Sequence, residues 1–182
     1  MQSRAWPLVK RWIDQATNNV ATLDPDPDTD AGPRLLEALG VTERSVLGAL
    51  AVNTGGLTID HGWLRVLGGR GLVEWRDRLD GGLLVGHDVA GGFYAVGRQD
   101  GEVRYLVPGS FEWMGTEMGH AAWVHWTLMG DLAGFYEDMR EPGWEAEAAT
   151  LAPDQGLSTA GPAPMTELWA AQQSQMRPLA GT

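Results

Sequence analysis

Two adjacent histidine–aspartate pairs are the residues of this chain whose types could perform catalysis. Asp60 precedes His61, and His87 precedes Asp88. Such pairs occur in metal-dependent phosphohydrolases, so a small metal-dependent hydrolase is the enzyme hypothesis that the sequence raises. Neighbouring side chains on a regular strand point to opposite faces, and neither pair could then chelate one ion. Turn or surface roles are therefore the favoured interpretation, and the hydrolase stays the alternative.

The other residues that could carry chemistry form no recognised motif. His120 and His125 would lie about 140° apart around a helix, whereas helical zinc pairs use a spacing of four residues. Gly68–Gly71 lacks the Lys and Ser/Thr of a phosphate-binding loop, and no serine sits in a Gly-x-Ser-x-Gly elbow. The chain has no cysteine, which excludes disulfides and thiolate metal sites. We therefore predict a protein without catalytic residues, bound metal or cofactor.

The elements that must position these residues centre on residues 81–109. Three apolar runs, at 83–85, 93–96 and 103–107, are separated by two glycine-containing turn signals. Glycine adopts the positive φ angles of tight hairpin turns, and Asp-Gly is a strong hairpin signal. The sequence thus predicts a three-stranded antiparallel meander whose apolar face is covered by helices.

Periodic apolar residues and turn signals predict the remaining elements. Val46–Asn53 is ambiguous between helix and strand, and the glycines that follow favour a strand, with 57–60 as its return. Gly109–Gly119 is predicted to be a loop. The predicted helices cover residues 4–17, 33–39, 70–80, 120–129, 132–139 and 165–176. The architecture expected is α+β: a central, mostly antiparallel sheet with N- and C-terminal helices packed on it.

Residues 1–182 are expected to form a single domain that contains two flexible or irregular segments. Asp and Pro alternate in 24–33, and Ala, Pro, Gly and Ser dominate 149–164. No apolar run approaches the roughly 18 residues of a membrane span, and the first residues do not read as a signal peptide. A cytoplasmic location without membrane attachment is therefore predicted.

The net charge of the chain restricts the classes of partner that we expect. The chain carries 24 acidic and 13 basic side chains, for a formal net charge of −11. Nucleic-acid backbones would be repelled, and no local basic patch is evident. An acidic surface favours solubility and a basic protein partner. The nine tryptophans suit either a core or an interface, so a self-associating structural protein, forming a homo-oligomer, is a further alternative.

Several stretches resemble one bacterial family. They include Thr54–Leu57 running into Ile59–Gly68, then Leu83–Tyr94, and Phe111–Trp113 followed by Trp126–Leu132. Over most of the chain these motifs resemble the family named domain of unknown function 2625. That family in turn resembles the SUKH superfamily of small α+β proteins, which share an apolar–Gly–x–Asp–x–x–Gly-Gly–aromatic hairpin and closing helices.

The resemblance implies a SUKH-like fold and a non-catalytic binding function. SUKH members commonly neutralise bacterial toxins as immunity proteins or act as scaffolding modules, so a basic toxin is one implied partner. The family has no assigned catalytic residues to transfer. Because they lie at the turn ends of the predicted sheet, the binding residues we expect are Asp60, Trp63, Asp88, Glu112 and Trp113.

Overall fold

A seven-stranded antiparallel sheet forms the centre of the protein. The computed structural model describes residues 5–25, 30–175 and 179. Within these residues the strands lie side by side in chain order, and a separate hairpin forms a second sheet. The strands are β1 (Val20–Leu23), β2 (Gly56–Ile59), β3 (Leu64–Leu67), β4 (Gly82–Asp88), β5 (Phe93–Gly97), β6 (Glu102–Leu106), β7 (Trp113–Gly119), β8 (Gln155–Ser158) and β9 (Gly161–Pro164).

Helices surround this sheet, which confirms the predicted α+β class. They are α1 (Trp6–Gln15), α2 (Ala31–Leu39), α3 (Val46–Asn53), α4 (Gly69–Trp75), α5 (His120–Met129), α6 (Leu132–Phe135), α7 (Trp144–Ala149) and α8 (Met165–Gln173). A 3-10 turn at Glu137–Met139 follows α6. None of the helices in the described ranges is long and apolar enough to cross a membrane.

The predicted meander is present as β4, β5 and β6. Gly91 and Gly101 have φ angles of +88° and +69° in its two turns, the conformation for which glycine is suited. The meander is the middle of a longer series, because β3 pairs with β4 and β7 pairs with β6. The local turn signals therefore identified the centre of the sheet correctly.

The prediction of a strand over Val46–Asn53 is wrong, because this segment is helix α3. Ser45 begins the helix: its side-chain oxygen accepts a hydrogen bond from the Gly48 backbone N–H at 3.0 Å. The helix is buried on most sides, at Val46 and from Gly48 to Ala51. A helix buried on most sides shows no apolar periodicity, so the pattern could not separate it from a buried strand.

Replacing Ser45 with alanine is expected to lower the free energy of unfolding by about 1 kcal/mol, the usual cost of a lost N-terminal cap. Urea denaturation would measure the change. Ser174→Ala is a matched control, because the exposed Ser174 hydroxyl only donates to the Ala171 carbonyl at the end of α8. An equal loss in both variants would contradict the capping role.

The loop predicted at Gly109–Gly119 is also wrong over Trp113–Gly119, which is the edge strand β7. Thr116 Oγ1 donates to the Val103 carbonyl at 2.6 Å, and Glu102 Oε1 accepts from the Glu117 N–H at 2.8 Å. These side-chain bonds support a strand whose register shifts between Glu102 and Arg104. Such irregularity is typical of edge strands and removes the alternation that sequence patterns detect.

Regular structure also occupies part of the two segments predicted to be flexible or irregular. Helix α2 begins at Ala31, and Pro33 lies in its first turn, where proline is tolerated. In 149–164 the β8–β9 hairpin includes Pro162 and Pro164, which a short two-stranded sheet accommodates because both strands are edges. Residues 26–29 of the first segment lie outside the described residues.

The two faces of the large sheet are covered by different helices. Arg65, His87 and Phe93 are cross-strand neighbours on one face, where Trp75 of α4 and Trp169 of α8 pack against Phe93 at 5.6 and 5.0 Å between ring centroids. We call this the α4/α8 face. Tyr94 lies on the other face, against Trp123 of α5 at 4.9 Å. The core thus has two layers on the sheet.

Candidate binding surface at one end of the sheet

All five residues predicted to bind a partner lie at the same end of the sheet. Leu64 at the start of β3 pairs with Asp88 at the end of β4, and Leu106 at the end of β6 pairs with Trp113 at the start of β7. Asp60 follows β2, whose last residue pairs with Leu64. We call this the Asp88 end of the sheet. The antiparallel topology therefore gathers residues that are up to 53 positions apart in the sequence.

Burial separates these five residues into two groups. Asp88 is 0% and Trp63 is 3% exposed, so a partner protein could not touch them without a rearrangement. Asp60 and Trp113 are half-buried, and Glu112 is exposed. The two buried residues support this end from inside, and only the other three are accessible at the surface.

Asp88 is the centre of a buried network of hydroxyl groups. Its Oδ2 accepts hydrogen bonds from the Tyr105 hydroxyl at 2.6 Å and the Tyr136 hydroxyl at 3.0 Å. Its Oδ1 accepts from the Gly92 N–H at 2.9 Å. Burial raises the pKa of Asp88 against the opposing effect of these donors, and burial also raises the pKa of both tyrosines. The network joins β4, the β4–β5 turn and β6 to Tyr136, which follows α6.

Arg140 fills an aromatic cage beside this network. Its guanidinium carbon lies 3.8 Å from the ring centroid of Trp144, 4.9 Å from that of Trp63 and 5.1 Å from that of Tyr136. Its Nη2 donates to Asp60 Oδ2 at 2.6 Å, and its side chain is only 7% exposed. The charge of Arg140 is therefore held inside the protein by a carboxylate and by the faces of aromatic rings.

The inward position of Arg140 leaves an acidic surface outside it. Between Arg104 and Arg177 the sequence has no other Lys or Arg. An open pocket of about 450 Å³ lies next to Arg140, with Trp144 in its wall and three exposed carboxylates around it. We call Glu137, Glu141, Glu145 and Trp144 the acidic surface. Asp138 and Glu147 are exposed in the same segment, and none of its five carboxylates takes part in an ion pair among the described residues.

The histidine–aspartate pairs do not assemble into a chelating site. Asp60 and His61 lie in the β2–β3 turn with φ angles of +59° and +60°, and the His61 ring contacts Trp144. His87 lies on the α4/α8 face, whereas the Asp88 carboxylate belongs to the network on the other face. Throughout the described ranges, no group of three or more His, Asp or Glu side chains is placed to hold a metal ion.

Sequence reasoning missed Arg140 and the acidic surface. The segment 137–147 contains five acidic residues and one basic residue, and this charge run was the signal that could have identified it. Its contact with the β2–β3 turn depends on the tertiary fold, because Asp60 and Arg140 are 80 positions apart. A single sequence contains no local signal for such a pair.

The fold and this site define a class: an α+β protein with a long antiparallel sheet, one end of which carries an acidic surface over a caged arginine. The chain belongs to the family described as protein of unknown function DUF2625, whose model matches residues 1–180. This confirms the family resemblance noted in the sequence.

Two relatives are similar along most of their length. The uncharacterised protein YbfG of Escherichia coli (strain K12) is 33% identical over 165 residues, which cover 82% of this chain and 76% of the relative. An uncharacterised protein of Haemophilus influenzae (strain ATCC 51907 / DSM 11121 / KW20 / Rd) is 29% identical over 166 residues, covering 81% and 72%. No solved structure matches the chain, so the SUKH-like relationship stays a prediction.

Proposed function

We propose that the protein is a non-catalytic protein-binding module whose acidic surface receives a basic partner. The observation that carries this proposal is the uncompensated charge of the surface. Glu137, Glu141 and Glu145 are exposed around one pocket, and the charge of Arg140, which also lines that pocket, is offset by Asp60. Complementary charge of this kind speeds encounter and selects partners.

The pocket in this surface suits a single long basic side chain. A partner's Lys or Arg that enters it would lie near three carboxylates and beside Trp144, whose ring is already in contact with Arg140. Tryptophan is enriched at the centres of protein interfaces. The cage of Trp63 and Tyr136 behind Arg140 would hold the surface in place during binding.

Within this proposal, the SUKH resemblance points to one specific kind of basic partner, a bacterial toxin. A toxin that acts on nucleic acid presents a basic contact surface, since it binds phosphate backbones. A cytoplasmic immunity protein with an acidic surface would match such a toxin by charge. Glu112 and Trp113, at the same end of the sheet, would extend the contact area.

Charge neutralisation of the acidic surface tests the proposal. We expect the triple variant Glu137→Gln, Glu141→Gln and Glu145→Gln to lose capture of a basic protein from the native cell lysate. Three lost charge pairs at an interface rim should weaken affinity by on the order of tenfold or more. Capture on immobilised protein at low salt, followed by titration of the purified partner, would measure this loss.

A second triple variant controls for net charge. Glu37→Gln, Asp80→Asn and Glu167→Gln remove the same number of charges from exposed positions elsewhere. This control should bind as the wild type does. Equal weakening in both triple variants would show a nonspecific effect of net charge, and unchanged binding in both would place the partner elsewhere; either result contradicts the proposed site.

A further inference from the structure

A second cavity lies on the α4/α8 face, away from the acidic surface. It has a volume of about 310 Å³, which is at the lower end of the range for small-molecule sites. Arg65 and His87, from the adjacent strands β3 and β4, contribute to its lining. Helix α4 and the Pro153–Asp154 segment supply further parts of the lining.

Arg65 is a buried cation without a carboxylate in contact. It is 2% exposed. Its Nε donates to the Gly62 carbonyl at 2.7 Å and its Nη2 to the Ala152 carbonyl at 3.2 Å. Among the ion pairs of the described residues, none includes Arg65. Burial lowers the pKa of Arg65 to about 10, which leaves it charged at neutral pH.

His87 stands next to this guanidinium as a neutral hydrogen-bond donor. Its Nδ1 lies 3.4 Å from Arg65 Nη1. Since an arginine N–H can only donate, Nδ1 accepts and the proton sits on Nε2. Burial lowers the pKa of His87 well below its ordinary value, with Arg65 adding to the effect. The Nε2–H makes no hydrogen bond within the described part of the chain.

The Arg65 guanidinium and the His87 imidazole together favour the binding of a negatively charged group. A buried guanidinium has five N–H groups, and the contacts of Arg65 occupy one on each nitrogen. One N–H therefore remains on each of the two terminal nitrogens. Asp88 and Asp154 attract the Arg65 charge only from beyond contact distance, and a buried charge that no counterion contacts is costly. Two terminal N–H groups are the number that an oxyanion accepts in a fork.

We propose that this cavity binds a small organic anion, whose carboxylate or phosphate group accepts hydrogen bonds from Arg65 and from the Nε2–H of His87. The rest of the ligand would lie against the apolar part of the lining, which includes Leu23, Leu67 and Trp75. Arg70 adds a second, exposed cation. The exposed Glu74 and Asp154 also line the cavity and disfavour highly charged polyanions, so the ligand should carry one anionic group.

This inference is independent of the proposed protein partner. The cavity is lined by β2, β3, β4, α4 and the segment before β8, whereas the acidic surface is formed by the segment 137–145. The acidic-surface triple variant is therefore expected to bind the anion as the wild type does. Failure of one proposal leaves the other standing.

Binding of matched probes to the wild-type protein is the first test. We would titrate benzoate, phenyl phosphate and the neutral benzamide at constant ionic strength, and follow the Arg65 Nε–Hε and His87 ring signals by NMR. We expect saturable shifts at both residues with at least one anion, and at least tenfold weaker binding of benzamide. The two anions distinguish a carboxylate site from a phosphate site.

Two variants then test whether Arg65 is the residue that binds the anion. Arg65→Gln should weaken binding of the better anion by about tenfold or more, the loss expected for a charge-assisted hydrogen bond. Arg98→Gln removes the same charge from an exposed position that does not line the cavity and should weaken binding by less than about threefold. The proposal is overturned if no anion gives saturable shifts at Arg65 and His87 up to 50 mM, or if benzamide binds equally well. Because this titration uses the wild-type protein, it tests the proposal even if Arg65→Gln does not fold.

Discussion

Replacing Asp88 with alanine is expected to destabilise the protein by about 3–5 kcal/mol, because three buried hydrogen-bond donors lose their acceptor. The substitution removes the acceptor of the Tyr105 and Tyr136 hydroxyls and of the Gly92 N–H. Each donor would be left in a region that water does not reach, at about 1–3 kcal/mol per unsatisfied group. Urea denaturation of the variant and the wild type would measure the difference.

Asparagine at the same position separates the loss of hydrogen bonds from the loss of charge. The amide oxygen of Asp88→Asn can still accept from Gly92, and the tyrosine hydroxyls can rotate to accept from its NH₂ group. We expect this variant to lose less than about 1.5 kcal/mol at pH 7. If Asp88→Ala were as stable as Asp88→Asn, the network would contribute little and our account of this end of the sheet would be wrong.

The pH dependence of stability in the wild type and in Asp88→Asn shows whether the charge on Asp88 stabilises or destabilises the folded protein. Burial raises the pKa of Asp88 above its ordinary value of 3.8, so the folded state binds this proton more tightly than the unfolded state does. The stability that comes from the raised pKa is complete below pH 3.8 and is lost as the pH rises through the folded value. Relative to Asp88→Asn, the wild type should therefore gain stability as the medium is acidified.

The parts of this fold that the sequence predicted are those with local signals. The hairpin turns at Gly91 and Gly101, the end of α2 at Gly40 and the cap of α6 at Asp131 each depend on residues within a few positions of one another. Such signals fix the meander and several helix ends. They also place the candidate residues at turn ends, and antiparallel pairing then brings those ends together.

The parts that could not be predicted depend on tertiary contacts. Helix α3 is apolar on most sides because other elements surround it, and its cap at Ser45 is a weaker signal than the glycines that follow. The buried position of Asp88 arises from Tyr136, which is 48 positions away. Likewise, Arg65 and His87 define a cavity only after β3 and β4 pair. In each case the decisive neighbour is distant in sequence.

Replacing His120 with phenylalanine is expected to make the protein less sensitive to acid. Both ring nitrogens of His120 are buried and lack hydrogen-bond partners in the described structure, although the residue as a whole is half-buried. Burial lowers the pKa of His120 to about 4 from 6.5. Between these values the unfolded chain takes up a proton that the folded chain does not, so stability falls as the pH falls through this window.

The expected size of this effect makes it measurable. A pKa shift of this extent lowers the free energy of unfolding by on the order of 2–3 kcal/mol at pH 4. The free energy of unfolding then changes by up to about 1.4 kcal/mol per pH unit. Urea denaturation between pH 4 and 7 should show that the free energy of unfolding depends less on pH in His120→Phe than in the wild type, by the amount that His120 contributes. Asp88 acts in the opposite direction and His87 in the same direction, and both are unchanged in the variant.

His120→Gln completes the comparison, because it removes the titration but keeps buried polar atoms. Its dependence on pH should match that of His120→Phe, since neither side chain ionises. At pH 7, His120→Phe should be the more stable of the two, because it leaves no unsatisfied polar atoms at this site. If His120→Gln retained the wild-type slope, proton uptake by His120 would not be the cause of acid sensitivity, and the explanation would have to come from His87 on the α4/α8 face.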